Sequence, residues 1–244
     1  MKINEQEIQA ITAAQPSPRL DLYAGIHKAL RALMADTLLA VGRMDPDDTA
    51  ERRAVSARVL ELLDFCASHV AHENEFVHAA IEARAPGASD AIGHEHEVHL
   101  AQITRLRTAV AALSGPAGSD AAAALDLYRS LALFIAENFQ HMHVEETAHN
   151  AVLWARYTDA ELVAIHNTLL ASIPPTEMMY TLRWLVPAMH AGERTALLAD
   201  MQAHAPAPAF AAALDTVRPH LSDAEWAKLT RSLGLPPAAG LVQV

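Results

Sequence analysis

The sequence contains one cysteine, Cys66, among 244 residues. No internal disulfide can form, and a reducing compartment such as the cytoplasm is the expectation. Aromatic residues are scarce, at 5%, while alanine and leucine abound, as in packed helices rather than sheets. Basic residues are also few: 18 Lys and Arg against 29 Asp and Glu give a net charge of −11 with neutral histidines. No Lys/Arg-rich stripe runs along any segment. Nucleic acid and anionic membrane surfaces are therefore excluded as partners. The opening residues MKINEQEIQA lack the apolar stretch of a signal peptide. The most apolar run, residues 121–136, is interrupted by Asp126, Arg129 and Ser130 and does not read as a membrane span.

What the sequence does have is histidine, 14 in all, together with a 52% hydrophobic composition able to bury a sizeable core. Proline and glycine clusters at Pro16/Pro18, Asp45-Pro46, Pro86-Gly87, Gly115-Pro116, Pro174-Pro175, Pro206/Pro208 and Pro236-Pro237 divide the chain. Between them the apolar spacing is helical. Long helices are expected near 18–43, 50–84, 90–114 and 119–156. Shorter ones follow near 158–172, 176–190, 192–204, 207–218 and 222–233. Capping boxes mark two starts, Thr158 to Glu161 and Ser222 to Glu225. No strand or solenoid repeat stands out. The expectation is an all-α protein: an up-down-up-down four-helix bundle over residues 1–157 and a smaller C-terminal helical extension over 158–244.

A bundle helix buries a stripe at alternating three- and four-residue steps. In the first long helix that stripe is Leu20, Tyr23, His27, Leu30, Met34, Leu38 and Val41. In the second it is Val55, Val59, Leu62, Cys66, His69, Glu73, Phe76 and Ala80. The third gives Ile92, His96, His99, Ile103, Leu106, Val110 and Leu113. The fourth gives Leu127, Leu131, Phe134, Asn138, His141, Glu145, Ala148 and Val152. The ionisable members are His27, His69, Glu73, His96, His99, His141 and Glu145, contributed by all four helices. Burial without partners would cost several kcal/mol for each. A hydrogen-bonded His–Glu pair on each of two helices is one solution. Divalent cations are the other, and they also account for His27 and His96 being in phase. Imidazole with carboxylate suits iron, and zinc or manganese less distinctively. The i,i+4 spacing of His69/Glu73 and His141/Glu145 aims both members of each pair at one point.

The motifs "HVAHE" (His69 to Glu73), "EHEVH" (Glu95 to His99) and "HMHVEE" (His141 to Glu146), with the lone His27, resemble the hemerythrin-like family of HHE cation-binding domains over residues 20–156. The resemblance implies a four-helix bundle around an oxo- or hydroxo-bridged pair of non-haem irons. Family members bind dioxygen reversibly, or sense or handle oxygen, nitric oxide, peroxide or iron. It implies His27, His69, Glu73, His96, His141 and Glu145 as ligands, with Glu73 and Glu145 bridging. Two features depart from the oxygen carriers. The third-helix pair is His96-x2-His99 rather than His-x3-His, and the carriers' carboxylate spacing on the fourth helix would select Glu146 over Glu145. The pattern is closer to iron-sensing members. The tail loosely resembles the segment that follows the hemerythrin domains of plant iron-regulatory ubiquitin ligases. It lacks zinc-finger cysteines, so it implies no ligase activity.

Tyr23 and Asn138, one turn from His27 and His141, are candidates to orient those rings. His72, His78, His94, His143 and His149 read as peripheral. His166, His190, His204 and His220 read as surface or capping residues. The leading expectation is a dioxygen- or oxidant-binding or sensing protein, with a small diatomic or peroxide as ligand and pairing or a protein partner through the extension. A diiron oxidase, peroxidase or nitric-oxide-handling enzyme is the alternative from a different class. A helical interaction protein carrying adventitious metal is the third.

Overall fold

The computed structural model describes residues 19–113 and 121–236. The expected Pro16/Pro18 and Gly115-Pro116 breaks, and Pro237, lie outside them. Among the described residues there are helices and no strand. The helices are α1 (Ala24–Arg43), α2 (Thr49–His72), α3 (Ala79–Arg84), α4 (Asp90–Leu113), α5 (Ala121–Val144), α6 (Asn150–Arg156), α7 (Asp159–Ser172), α8 (Pro175–Ala188), α9 (Ala191–His204), α10 (Ala207–Val217) and α11 (Asp223–Ser232). Two π-helical turns, Glu73–His78 and Glu145–His149, join α2 to α3 and α5 to α6 without a break. No described helix is long and apolar enough to cross a membrane.

The described residues fall into two compact units, 19–27 with 33–172 and 28–32 with 173–236. In the first, the seams read from sequence are the buried faces. On α4 the buried residues are Ile92, His96, His99, Ile103, Leu106, Val110 and Leu113, the full expected stripe. On α5 they include Leu127, Leu131, Phe134, Asn138 and His141. α4 lies against both α2 and α5, so its histidines face both.

Local chemistry sets the starts. Asp48 caps α2 by accepting from the amides of Ala50 and Glu51. The α1 helix begins at Ala24 rather than 18, because the Asp21 carboxylate takes the amides of Tyr23 and Ala24, each at 2.9 Å, and holds the chain in a turn there. Before α4, Gly87 adopts φ +84°, a conformation open to glycine, and the Glu82 carboxylate accepts from the amides of Gly87 and Ser89. This turn sets the entry of the helix that carries His96. Leu162 of α7 is fully buried with Tyr23, Val77, Ile81 and Leu153.

The second unit closes on Leu182, Val186, Leu198, Ala213, Val217, Leu221, Trp226 and Leu229. Its helices are delimited as the sequence indicates. Ser222 and Glu225 form the expected capping box, and His190 caps α9 by accepting from the amides of Gly192 and Glu193.

Candidate metal centre

Helix α1 supplies His27, α2 supplies His69, the first π turn Glu73, α4 His96, α5 His141 and the second π turn Glu145. Five of the six are at most 4% exposed, with His27 and Glu145 at 0%; only the His69 side chain reaches 12%. Each carboxylate faces rings from several helices. Glu73 Oε1 lies 3.1 Å from His69 Nε2 and 3.5 Å from His27 Nε2, and Glu73 Oε2 lies 3.5 Å from His96 Nε2. Glu145 Oε2 lies 3.5 Å from His27 Nε2, while Glu145 Oε1 lies 3.6 Å from His96 Nε2 and 3.3 Å from His141 Nε2. The oxygens thus sort the rings into two pairs, His27 with His69 and His96 with His141, with both carboxylates reaching across.

These atoms are close but not aligned as hydrogen bonds. The Nε2 atoms of His27, His69, His96 and His141 and both oxygens of Glu73 and Glu145 are buried without a hydrogen-bond partner. Ligands about 2.1 Å from one small cation stand roughly 3.0–3.5 Å from each other, which is the spacing found here. A proton is the next best occupant. Burial disfavours charge on His27, but Glu146, Glu73 and Glu145 outweigh it and raise the ring to about 9. His96 is likewise raised to about 9 by Glu145 and Glu73 against burial. Burial works against ionised Glu73 too, yet His69, His27 and His96 hold it well below the usual carboxylate range. By geometry and by charge these residues could hold cations, and their number and chemistry fit a pair of divalent ions.

The opposite ring nitrogens are held from outside. His27 Nδ1 lies 3.0 Å from Glu146 Oε1, His96 Nδ1 lies 2.8 Å from Asn74 Oδ1, and His141 Nδ1 lies 3.0 Å from Glu95 Oε2. In the neutral tautomer whose Nδ1–H donates to that oxygen, the Nε2 lone pair faces inward. Asn138 does not serve this purpose, since its amide donates to Phe134 O within its own helix. The Tyr23 hydroxyl instead meets His149 Nδ1, at 3.1 Å. The three orienting residues sit beside inward-facing ones, Asn74 after Glu73, Glu95 before His96 and Glu146 after Glu145. That adjacency was available in the sequence. A neighbour one residue along a helix is rotated by about 100° and so can reach a ring on the adjoining helix.

The π turns shift the seams. Each adds a residue to one turn, so the inward face moves by one position beyond it. The expected Phe76/Ala80 stripe becomes Val77 and Ile81, and the expected Ala148/Val152 stripe becomes His149 and Leu153. His78 and His149, read from sequence as peripheral, are consequently buried at 7% and 2%. His99 is buried as expected, but it stands apart from the groups whose ligand atoms lie within 4.8 Å of one another. Its ring packs on His141 and Phe134, and burial, with His141 and His96 nearby, pushes it down to about 4. Burial pushes the Cys66 thiol up to about 12, which leaves it unreactive.

Among the described residues, three overlapping groups could hold cations: Glu73, His96, His141 and Glu145; His27, His69 and Glu73; and His78, Glu145 and His149. No curated protein and no solved structure matches the chain. The family model of the hemerythrin HHE cation-binding domain matches residues 20–149. That span holds every residue of the three groups, and the chain belongs to the hemerythrin HHE cation-binding domain family.

Proposed function

We propose that the bundle holds two iron ions and uses them to bind or sense dioxygen or a related small oxidant. His27 and His69 would hold one ion and His96 and His141 the other, with Glu73 and Glu145 as carboxylates that both ions could share. The observation that carries this reading is the convergence of four Nε2 atoms and four carboxylate oxygens, none with a hydrogen-bond partner, from all parts of the bundle. Mixed imidazole and carboxylate donors favour iron over the harder divalent cations.

The bound pair would supply one-electron redox steps and an exchangeable position for a small ligand. The protein supplies the rest. Glu146, Asn74 and Glu95 fix the His27, His96 and His141 rings through Nδ1. Glu73 and Glu145 are themselves 3% and 0% exposed, and exclusion of bulk water strengthens their attraction for a cation. A surface depression of about 460 Å³, lined by Asn74, Ser89, Gly93 and His96 among others, reaches one edge of the set. His96 is only 1% exposed there, so the approach suits a diatomic or peroxide rather than a bulky substrate.

The test is an ultraviolet–visible spectrum of iron-loaded protein before and after dithionite reduction and re-exposure to air. Near-ultraviolet bands that bleach on reduction and return in air support an oxidant-responsive iron pair. A spectrum indifferent to both treatments contradicts it. Sustained turnover of peroxide or nitric oxide beyond one equivalent per pair would make the protein an enzyme instead.

A further inference from the structure

The six proposed ligands leave two buried histidines unexplained. The π turns bring His78 and His149 to the interior beside Glu145, and one ligand atom from each of the three lies within 4.8 Å of the others. His78 is 7% exposed, His149 2% and Glu145 0%. The Nε2 atoms of both histidines have no hydrogen-bond partner. A histidine buried only for packing would satisfy that nitrogen or turn it to water.

Both rings are fixed in place. The His78 ring stacks on His96 with centroids 4.8 Å apart and planes 3° from parallel, and it meets His149 edge-on at 5.1 Å and 83°. His149 Nδ1 lies 3.1 Å from the buried Tyr23 hydroxyl. When Nδ1–H donates to that oxygen, the free lone pair is on Nε2, the arrangement by which metal-bound histidines are usually oriented.

We propose that the bundle carries a third cation site, made by His78, His149 and Glu145 and adjoining the pair through the shared Glu145. The proposal rests on the paired-site reading for the other contacts of Glu145. Two imidazoles and one carboxylate form a donor set for a borderline divalent ion such as zinc or ferrous iron, with a coordination position left for water or a small ligand. Cations this close repel, and Glu73, Glu145 and the outer carboxylates Glu146 and Glu95 supply compensating negative charge.

The experiment uses the full chain, stripped by chelator and reloaded with zinc(II) as a redox-silent probe. Bound metal is counted by mass spectrometry after desalting, with circular dichroism to check helicity. Three variants are compared: wild type, His78→Ala with His149→Ala, and the milder His149→Gln. The expected result is about three ions per chain in wild type and about two in each variant. If the double variant loses helicity, the count is read from His149→Gln. Two ions in wild type overturn the third site while leaving the pair intact. Three ions in both variants place the third ion elsewhere and also overturn it. Fewer than two in wild type removes the paired site as well.

Discussion

The two units bury charge in different ways. In the second unit, Arg194 is 7% exposed, but its guanidinium donates to the carbonyls of Val186 and Pro187, each at 2.9 Å, and pairs with Glu225 at 2.7 Å. Nothing further is required to stabilise it. In the first unit, Glu73, Glu145 and the Nε2 atoms of four histidines are as deeply buried, yet no hydrogen bond satisfies them. Buried polar groups are ordinarily paired, because an orphaned one costs about 1–3 kcal/mol or more. A satisfied buried charge such as Arg194 reads as structure. A convergent set of orphans reads as a site for a ligand that supplies the missing charge.

The comparison can be broken from either side. The largest effect should come from Glu145→Ala, which removes the carboxylate facing His27, His96 and His141. Metal content should fall from the wild-type count to below one ion per chain, while circular dichroism still reports helix. Full retention of metal would reduce Glu145 to a buried carboxylate held only by its contacts with His27, His96 and His141. In the second unit, Leu198→Ala should cost about 2–5 kcal/mol in chemical denaturation, as a cavity in a packed core does. Metal content should not change, and if it fell with this substitution the contrast between the units would collapse. Glu95→Ala removes only the acceptor for His141 Nδ1–H. It should weaken metal affinity by roughly 10–100-fold in a competition titration, the usual effect of losing an outer partner. An unchanged affinity would mean that Glu95 does not hold the ring.

Smaller effects belong to the exposed caps. Ser222→Ala should destabilise the second unit by about 1 kcal/mol, the common value of an N-cap, with metal binding untouched. The pH dependence has a definite sign. Glu225 is lowered from 4.5 to about 2 by the Ser222 side chain and amide and by Arg194. Its stabilising contribution is therefore present above pH 4.5 and is lost as pH falls toward 2. Thermal unfolding followed from pH 6 to pH 2 should show that loss in wild type and a flatter profile in Glu225→Gln. Equal profiles would remove Glu225 from the cap.

Much of this was legible in the sequence. The stripe on α4 was read residue for residue, because an uninterrupted α-helix keeps its period and because His96 and His99 interrupt an otherwise apolar row. The capping boxes at Thr158 and Ser222 were legible because a hydroxyl and a carboxylate three residues apart have a fixed hydrogen-bonding use. The seams beyond Glu73 and Glu145 were not. A π turn leaves no mark in propensity or in apolar spacing, and it rephased Phe76 to Val77 and Ala148 to His149. For the same reason His78 and His149 looked peripheral. Asn74 and Glu95 were missed as orienting groups, since their positions beside ligands matter only once the neighbouring helix is placed. Glu146, weighed as a ligand from the spacing of oxygen carriers, holds the outer nitrogen of His27 instead.

The account stands on a cation satisfying the interior of the bundle. Metal analysis by mass spectrometry of untagged protein, purified without added metal and checked for helicity, tests it most directly. The prediction is at least two ions per chain, with iron predominant. A fully helical protein carrying no bound metal would contradict it and would leave the buried His–Glu contacts as the sole partners of these side chains.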